Sequence, residues 1–237
     1  MSPRARNLAG TSSCCLLVPE ESVDARSVDA RSGEHREVVG GVYGDPAAFE
    51  QICRYRDILA SRGIEWGLLG PREVPRLWDR HILNSAAVAQ LVPDHASVAD
   101  IGSGAGLPGI PIAILRPDLA VDLVESLLRR TTFLTHTVDD LGITSRVRVV
   151  RARAEELDRR YDVVLSRALA PLDRLVRWCR PLLGDGGSIL AVKGSSARQE
   201  IADHAAVLRR AGLAAEVVSC RVSDEVPPTT VVRLRGR

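Results

Sequence analysis

Along the second half of the chain, apolar positions alternate between two spacings. Short runs at 97–101, 120–125, 146–150, 161–165 and 188–192 have the length and the Val, Ile and Leu content of buried strands. Between them, 127–140, 172–182 and 197–211 place apolar residues three and four apart, the spacing of helices with one buried face. Strand and helix taking turns predict an α/β fold, a doubly wound and mainly parallel sheet with helices on both faces. Two further strands, at 215–222 and 229–235, are joined by a connection of hairpin length containing Pro227-Pro228. They bring the sheet to seven strands and predict an antiparallel strand at its end.

The first half is patterned differently. Asp45-Pro46 reads as an N-cap followed by proline at the first helical position. Phe49, Ile52, Cys53, Ile58 and Leu59 follow at roughly helical spacing, and a second helical stretch, 74–91, carries Leu77, Trp78, His81, Ile82 and Val88. These helices precede the first strand and predict a cap that shapes a pocket over the strand ends. Residues 22–26 and 27–31 repeat the pentapeptide Ser-Val-Asp-Ala-Arg. A duplication with polar flanks is tolerated where nothing packs, which makes 1–40 a disordered extension. The predicted organisation is thus an extension (1–40), a helical cap (41–94) and a ligand-binding domain (95–237).

The chemistry is carried by the stretch Asp100-Ile-Gly-Ser-Gly-Ala-Gly106 at the end of the first strand. Alternating glycines at Gly102, Gly104 and Gly106 let the backbone turn tightly and keep Cβ atoms away from a ligand. Pro108 then presets the first turn of a helix built on Ile110, Ile112, Ala113, Ile114 and Leu115. In the dinucleotide fingerprint the third glycine would fall at position 107, which is leucine. The spacing fits better the loop of S-adenosylmethionine-dependent methyltransferases, whose ligand has no pyrophosphate to cradle. Glu125 closes the second strand about twenty residues on, where an acid can hold ribose hydroxyls. Asp100, Gly102, Gly104, Gly106 and Glu125 are therefore candidate cofactor residues.

Composition adds limits. Of 237 residues, 45% are hydrophobic but only 3% aromatic, so aliphatic residues and alanine must fill the core. No run approaches the roughly 18 apolar residues of a membrane span. Five cysteines (Cys14, Cys15, Cys53, Cys179, Cys220) show no metal-ligand spacing, and their odd number fits a reducing cytoplasm. Net charge is only +2, yet arginines crowd the middle of the chain, and Lys193 is the one lysine. Arg129, Arg130 and Lys193 are candidate contacts to nucleic-acid phosphates. No heptad or large apolar face stands out, which predicts a monomer.

Three blocks together resemble the small-subunit ribosomal RNA methyltransferase G family (RsmG or GidB). They are Leu77-Trp-Asp-Arg-His-Ile-Leu-Asn-Ser85, Asp100-Ile-Gly-Ser-Gly-Ala-Gly-Leu-Pro-Gly-Ile-Pro111, and Leu165-Ser-Arg-Ala168 followed by Val192-Lys-Gly194. The resemblance spans about 45–235 and departs from the family's frequent Asp at Asn84. It implies a Rossmann-like methyltransferase fold, S-adenosylmethionine as cofactor, and methylation of guanine N7 in the decoding-region loop of 16S rRNA. The partner is then that RNA or the small ribosomal subunit. Carried over to this chain, the family's cofactor contacts fall on Gly102, Leu107, Ala154, Glu155 and Arg167.

Guanine N7 offers a lone pair and no proton, so such a reaction needs neither a nucleophilic side chain nor a base. Alignment of the reactants can itself supply about 7–11 kcal/mol. Other methyl transfers fit less well. The stretch after the fourth strand, Ser166-Arg-Ala-Leu-Ala170, lacks the Asn/Asp-Pro-Pro-aromatic loop of amine methylation, and Cys179 sits in a helical pattern rather than in a catalytic loop. Arg167, at the end of an apolar strand, and His81 are the candidates for positioning the reactants. Two other readings stay open from the residues: an NAD(P)-dependent oxidoreductase, against which Leu107 stands, and an RNA-binding protein with a vestigial cofactor site.

Overall fold

The computed structural model describes residues 36–236. The repeat at 22–31, Cys14 and Cys15 lie outside the described residues. Seven strands form one sheet: β1 (Ser97–Ile101), β2 (Ala120–Glu125), β3 (Val147–Arg151), β4 (Tyr161–Arg167), β5 (Leu183–Lys193), β6 (Leu213–Cys220) and β7 (Thr229–Gly236). Their order is β3-β2-β1-β4-β5-β7-β6. The first five run parallel, and β7 inserts antiparallel between β5 and β6. The predicted fold class and terminal hairpin are both present. Buried parallel strands show the expected continuous apolar run: every residue of β2 after Ala120 is buried.

Side chains of successive residues leave a strand on opposite faces, so each strand feeds two cores. Val98, Leu123, Val163, Leu165 and Leu190 belong to one; Ala99, Ile101, Val124, Val164 and Ile189 belong to the other. On the first side lie α3 (Gly109–Leu115) and α4 (Leu128–Asp140), together with the whole N-terminal cap. On the second lies α5 (Leu172–Cys179), and α6 (Ala197–Asp203) and α7 (Ala205–Arg210) follow along the chain.

The N-cap expected at Asp45 is present. α1 (Pro46–Ile58) has Asp45 as N-cap, accepting from the Ala48 amide at 2.9 Å, with Pro46 at the first position. Its inner face is set by Ile52, Tyr55 and Ile58, whereas Phe49 and Cys53 are only half-buried. The expected boundary at residue 40 falls inside a helical segment, 36–42, in which Val39 is buried, so the extension cannot reach that far. The helical stretch expected over 74–91 is present, though not as one regular α-helix. Pro71 and Pro75 lack amide donors and hold Pro71–Arg76 in a 3₁₀ turn. The chain then widens to a π-helical stretch at Leu77–Leu83, runs on as α2 (Asn84–Ala87), and ends in a 3₁₀ turn at Val88–Leu91. The wider turn buries Leu77, His81, Ile82 and Leu83 together. Such distortions are frequent where a side chain must be aimed.

Candidate active site

β2 lies on one side of β1 and β4 on the other, so the chain reverses its direction of travel across the sheet beside β1. In open α/β sheets a crevice forms at this reversal, outside the carboxyl ends of the strands. Here it is a cleft of about 760 Å³, within the ordinary range for small-molecule sites. It is bounded by the loop after β1, by Glu125–Leu127 after β2, by 152–155 after β3 and by Arg167–Leu169 after β4, with His81 from the cap.

The loop after β1 holds φ values of +71°, +60° and +98° at Gly102, Gly104 and Gly106, a region side chains rarely enter. Only Gly104 is kept free for the reason expected from sequence. A Cβ there would meet nothing nearer than a carbonyl at 3.8 Å, and the position borders the cleft. At Gly102 a Cβ would strike Leu169 Cδ1 at 2.5 Å, and at Gly106 it would strike Ile110 Cδ1 at 2.3 Å. These two glycines admit other parts of the protein rather than a ligand. Gly109 is the fourth: its Cβ would lie 2.5 Å from Leu123 Cδ2 and 2.8 Å from Asp100 Oδ2.

Asp100 does not border the cleft. Its Oδ2 accepts from Ser103 Oγ at 2.7 Å and from the Gly109 amide at 3.0 Å, tying both ends of the loop together. Burial pushes its carboxyl up to about 6, against the hydrogen bonds that hold it down. Gly106, too, stands outside the lining, and Tyr55 supports its neighbour by donating to the Ala105 carbonyl at 2.9 Å. Asp100 and Gly106 build the loop; Gly102, Gly104 and Leu107 present it.

Glu125 is 4% exposed and faces the loop. It accepts from the Gly104 amide at 3.2 Å and the Leu127 amide at 3.0 Å, and it pairs with Arg130 at 3.5 Å. A carboxylate has about four lone-pair sites, so capacity remains for a hydroxyl. Ala154 and Glu155 form a 3₁₀ turn after β3 on the same cleft, Ala154 buried and Glu155 exposed.

Arg167 points from the end of β4 into the cap. Its two terminal nitrogens donate to the Arg80 carbonyl (2.9 Å), His81 Nδ1 (3.1 Å), Ser85 Oγ (3.3 Å) and the His81 carbonyl (3.4 Å). All four acceptors are neutral. Burial accordingly lowers the Arg167 pKa, with the nearby Arg80 charge acting the same way. The mostly buried guanidinium thus borders the cleft without a carboxylate in contact. His81 Nε2 meets Glu73 Oε2 at 2.6 Å. Because Nδ1 accepts from Arg167, the ring is neutral and Nε2 carries the proton donated to Glu73. Burial lowers the His81 pKa, outweighing the bond to Glu73, which raises it; Glu73 in turn is held below the usual carboxylate range chiefly by that bond.

Glu73 and Ser85 escape a reading of the sequence. Ser85 lies one helical turn after His81, a weak signal, and Glu73 lies eight residues before it across a proline-broken turn, which leaves none. Among the basic candidates, Arg129 and Arg130 stand at the start of α4 beside the cleft, and Arg130 lines it. Lys193 is a correction. Two of its three ammonium donors go to Glu200 Oε1 (2.7 Å) and the Ala170 carbonyl (2.8 Å), and with the side chain 14% exposed it braces the loop after β4 and stands back from the surface a phosphate would meet. Asn84 contributes its backbone carbonyl, which accepts from Thr229 Oγ1 at 2.8 Å. That contact does not depend on whether Asn or Asp stands there.

Comparison with known proteins decides the family. The family model for rRNA small subunit methyltransferase G (GidB) matches residues 48–225. The chain belongs to that family. Among its relatives, the ribosomal RNA small subunit methyltransferase G of Salinispora arenicola is 53% identical over 203 residues, 82% of this chain and 83% of that one. The protein of the same description from Nocardioides sp. is 56% identical over 184 residues, 76% and 73% of the two chains. Solved structures support the fold at lower identity. A ribosomal protein L11 methylase from Lactobacillus delbrueckii subsp. bulgaricus superposes with a TM-score of 0.52 at 15% identity, covering 65% of this chain and 77% of the other. NcsB1, an O-methyltransferase from neocarzinostatin biosynthesis solved with S-adenosyl-L-homocysteine, gives 0.53 at 15% identity over 74% and 61%.

Proposed function

We propose that this protein transfers a methyl group from S-adenosylmethionine to N7 of a guanine in the decoding-region loop of 16S rRNA. Membership of the family makes it an rRNA methyltransferase that uses that cofactor. The cleft fits the donor. Gly104 leaves its wall open, Glu125 has lone pairs to spare for ribose hydroxyls, and Arg167 brings a cation with only neutral partners toward an amino-acid carboxylate. When bound, S-adenosylmethionine supplies an electrophilic methyl group on a sulfonium.

One observation carries the choice of N7. His81, the imidazole at the cleft, has both ring nitrogens engaged, by Arg167 and by Glu73. Tied in this way it orients and does not remove protons. A ring nitrogen with a free lone pair needs no base, whereas an exocyclic amine or a hydroxyl has a proton to lose. The protein's part is then alignment: the glycine loop and Glu125 hold the donor, and Arg167, fixed by His81 and Ser85, sets the angle of approach. An oxidoreductase is not favoured, since the family match leaves no ground for it and Leu107 occupies the position of the missing glycine.

Among the described residues no helix is long and apolar enough to cross a membrane; the reading places the enzyme in the cytoplasm with its RNA. The test is a map of modified nucleosides in 16S rRNA from a strain lacking the gene. Loss of a single 7-methylguanosine, restored when purified protein and labelled donor are added to small subunits from that strain, is the expected result. An unchanged map overturns the proposal.

A further inference from the structure

The start of α4 breaks several rules of helix stability at once. Its N-cap is Leu127, where Ser, Thr, Asp or Asn would satisfy an amide. Its first turn holds Arg129 and Arg130 and no acid, although the positive end of the helix favours carboxylates. Leu127 and Leu128 are 53% and 59% exposed, two of the three large apolar side chains left exposed among the described residues. Each departure costs stability, and all fall on four consecutive residues at the mouth of the cleft.

The opposite lip is the segment after Trp66. The Trp66 ring packs against Phe133 of α4, centroids 6.0 Å apart, and fixes the segment in place. A Cβ on Gly67 would come within 3.9 Å of Arg129 Nη2, and Leu68, Leu69 and Leu127 all line the cleft. Arg129 itself has no ion pair or hydrogen bond to another side chain among the described residues, while Arg130 pairs with Glu125. The mouth thus sets two bare leucines beside an uncommitted guanidinium.

Single-stranded RNA matches that pairing of an apolar surface and a cation: its bases offer flat apolar faces and its backbone a charge at every step. A base stacked among its neighbours cannot bring a ring nitrogen into a cleft, so it must first leave the stack. We infer that Leu127 and Leu128 are a wedge that occupies the gap left by the target guanine as it swings into the cleft, with Arg129 on an adjacent phosphate. The inference rests on the reading of the site as an rRNA methyltransferase and adds to it the surface that opens the substrate.

The test uses the double variant Leu127→Ser, Leu128→Ala. Serine is a better N-cap than leucine, so the variant should melt no lower than the wild type; because Leu127 lines the donor's cleft, rates are read at saturating S-adenosylmethionine, which removes any change in donor affinity. Its single-turnover methylation of small subunits lacking the modification should fall about tenfold or more, the scale of a lost base-stacking contact. Arg129→Gln should lower the log–log salt slope of RNA binding by about one. A rate within twofold of wild type for the double variant overturns the wedge while wild-type turnover keeps the enzyme's function in place. No turnover by the wild type would instead remove the function, and the wedge with it. A loss seen on whole subunits but not on protein-free rRNA that the wild type methylates would make the patch a contact for ribosomal protein and refute the inference.

Discussion

Replacing Arg167 by lysine separates charge from shape. The guanidinium reaches four acceptors through two nitrogens, spanning Arg80, His81 and Ser85. An ammonium has three donors radiating from one point and cannot reproduce a planar fork. Geometry leaves it about two of the four, so two part-buried acceptors lose their donor. At about 1 kcal/mol each, the lower end for groups that water can partly reach, the variant should lose about 2 kcal/mol of stability. Its effect on the donor should be larger than charge alone suggests. If Arg167 faces the carboxylate of S-adenosylmethionine, loss of a hydrogen bond between charged groups costs about 1.5–3 kcal/mol, or roughly 10- to 150-fold in Kd. Calorimetric titration of folded Arg167→Lys with S-adenosylmethionine measures the second quantity and thermal melting the first. A Kd within twofold of wild type, with normal methyl transfer, would show that Arg167 only fastens the cap to the sheet.

Other perturbations test other joints. Glu73→Gln keeps an acceptor for His81 but removes the charge that raises the His81 pKa. Protonated His81 would turn a donor toward Arg167, so the acid limb of kcat/KM should move to lower pH in the variant, and a limb that stays put or moves up contradicts the chain of bonds. Asp100, pushed up to about 6 by burial, binds its proton more tightly in the folded state than in the unfolded one. The stability this contributes is complete below about pH 4 and is lost as pH rises through 6. Chemical denaturation should therefore show the wild type gaining about 2 kcal/mol over Asp100→Asn between pH 7 and pH 4, since the slope of about 1.4 kcal/mol per pH unit applies only between the folded and unfolded carboxyl values; parallel curves would show the carboxyl titrating normally. Gly109→Ala must displace Leu123 or Asp100 and should cost about 1–3 kcal/mol, whereas Gly104→Ala has room and should cost about 1 kcal/mol for its left-handed backbone while weakening the donor's seat. Equal melting losses in the two would put the packing argument in error.

The sheet is legible in the sequence because its parallel strands are covered on both faces and so must be apolar throughout. Asp45-Pro46 marks the start of α1 for an equally local reason. The glycine loop shows its position but not its division of labour: whether a glycine admits a ligand or a neighbouring side chain depends on Leu169 and Ile110, which only the fold brings near. The region 74–91 reads as a helical stretch because its apolar spacing is roughly right, yet Pro75 and a widened turn set its path, and neither alters that spacing. Tyr55 is passed over for the same kind of reason, since its hydroxyl finds a partner fifty residues away. Lys193 misleads because a lone lysine among arginines draws attention, while the Glu200 that neutralises it lies on another element. Local periodicity carries the scaffold; contacts between distant segments carry the site.

The seat of β7 bears on when the enzyme can first work. Thr229 opens that strand and grips the Asn84 carbonyl, one residue beyond the stretch that carries His81, and the strand slots between β5 and β6. It has no place to enter until β6 has been made. A nascent chain halted before Thr229 would already possess the glycine loop, Glu125 and Arg167, yet the segment that aims His81 would lack its anchor. Synthesis of β7 is thereby the event that anchors the segment carrying His81, and a ribosome must make that strand before the protein can modify a ribosome.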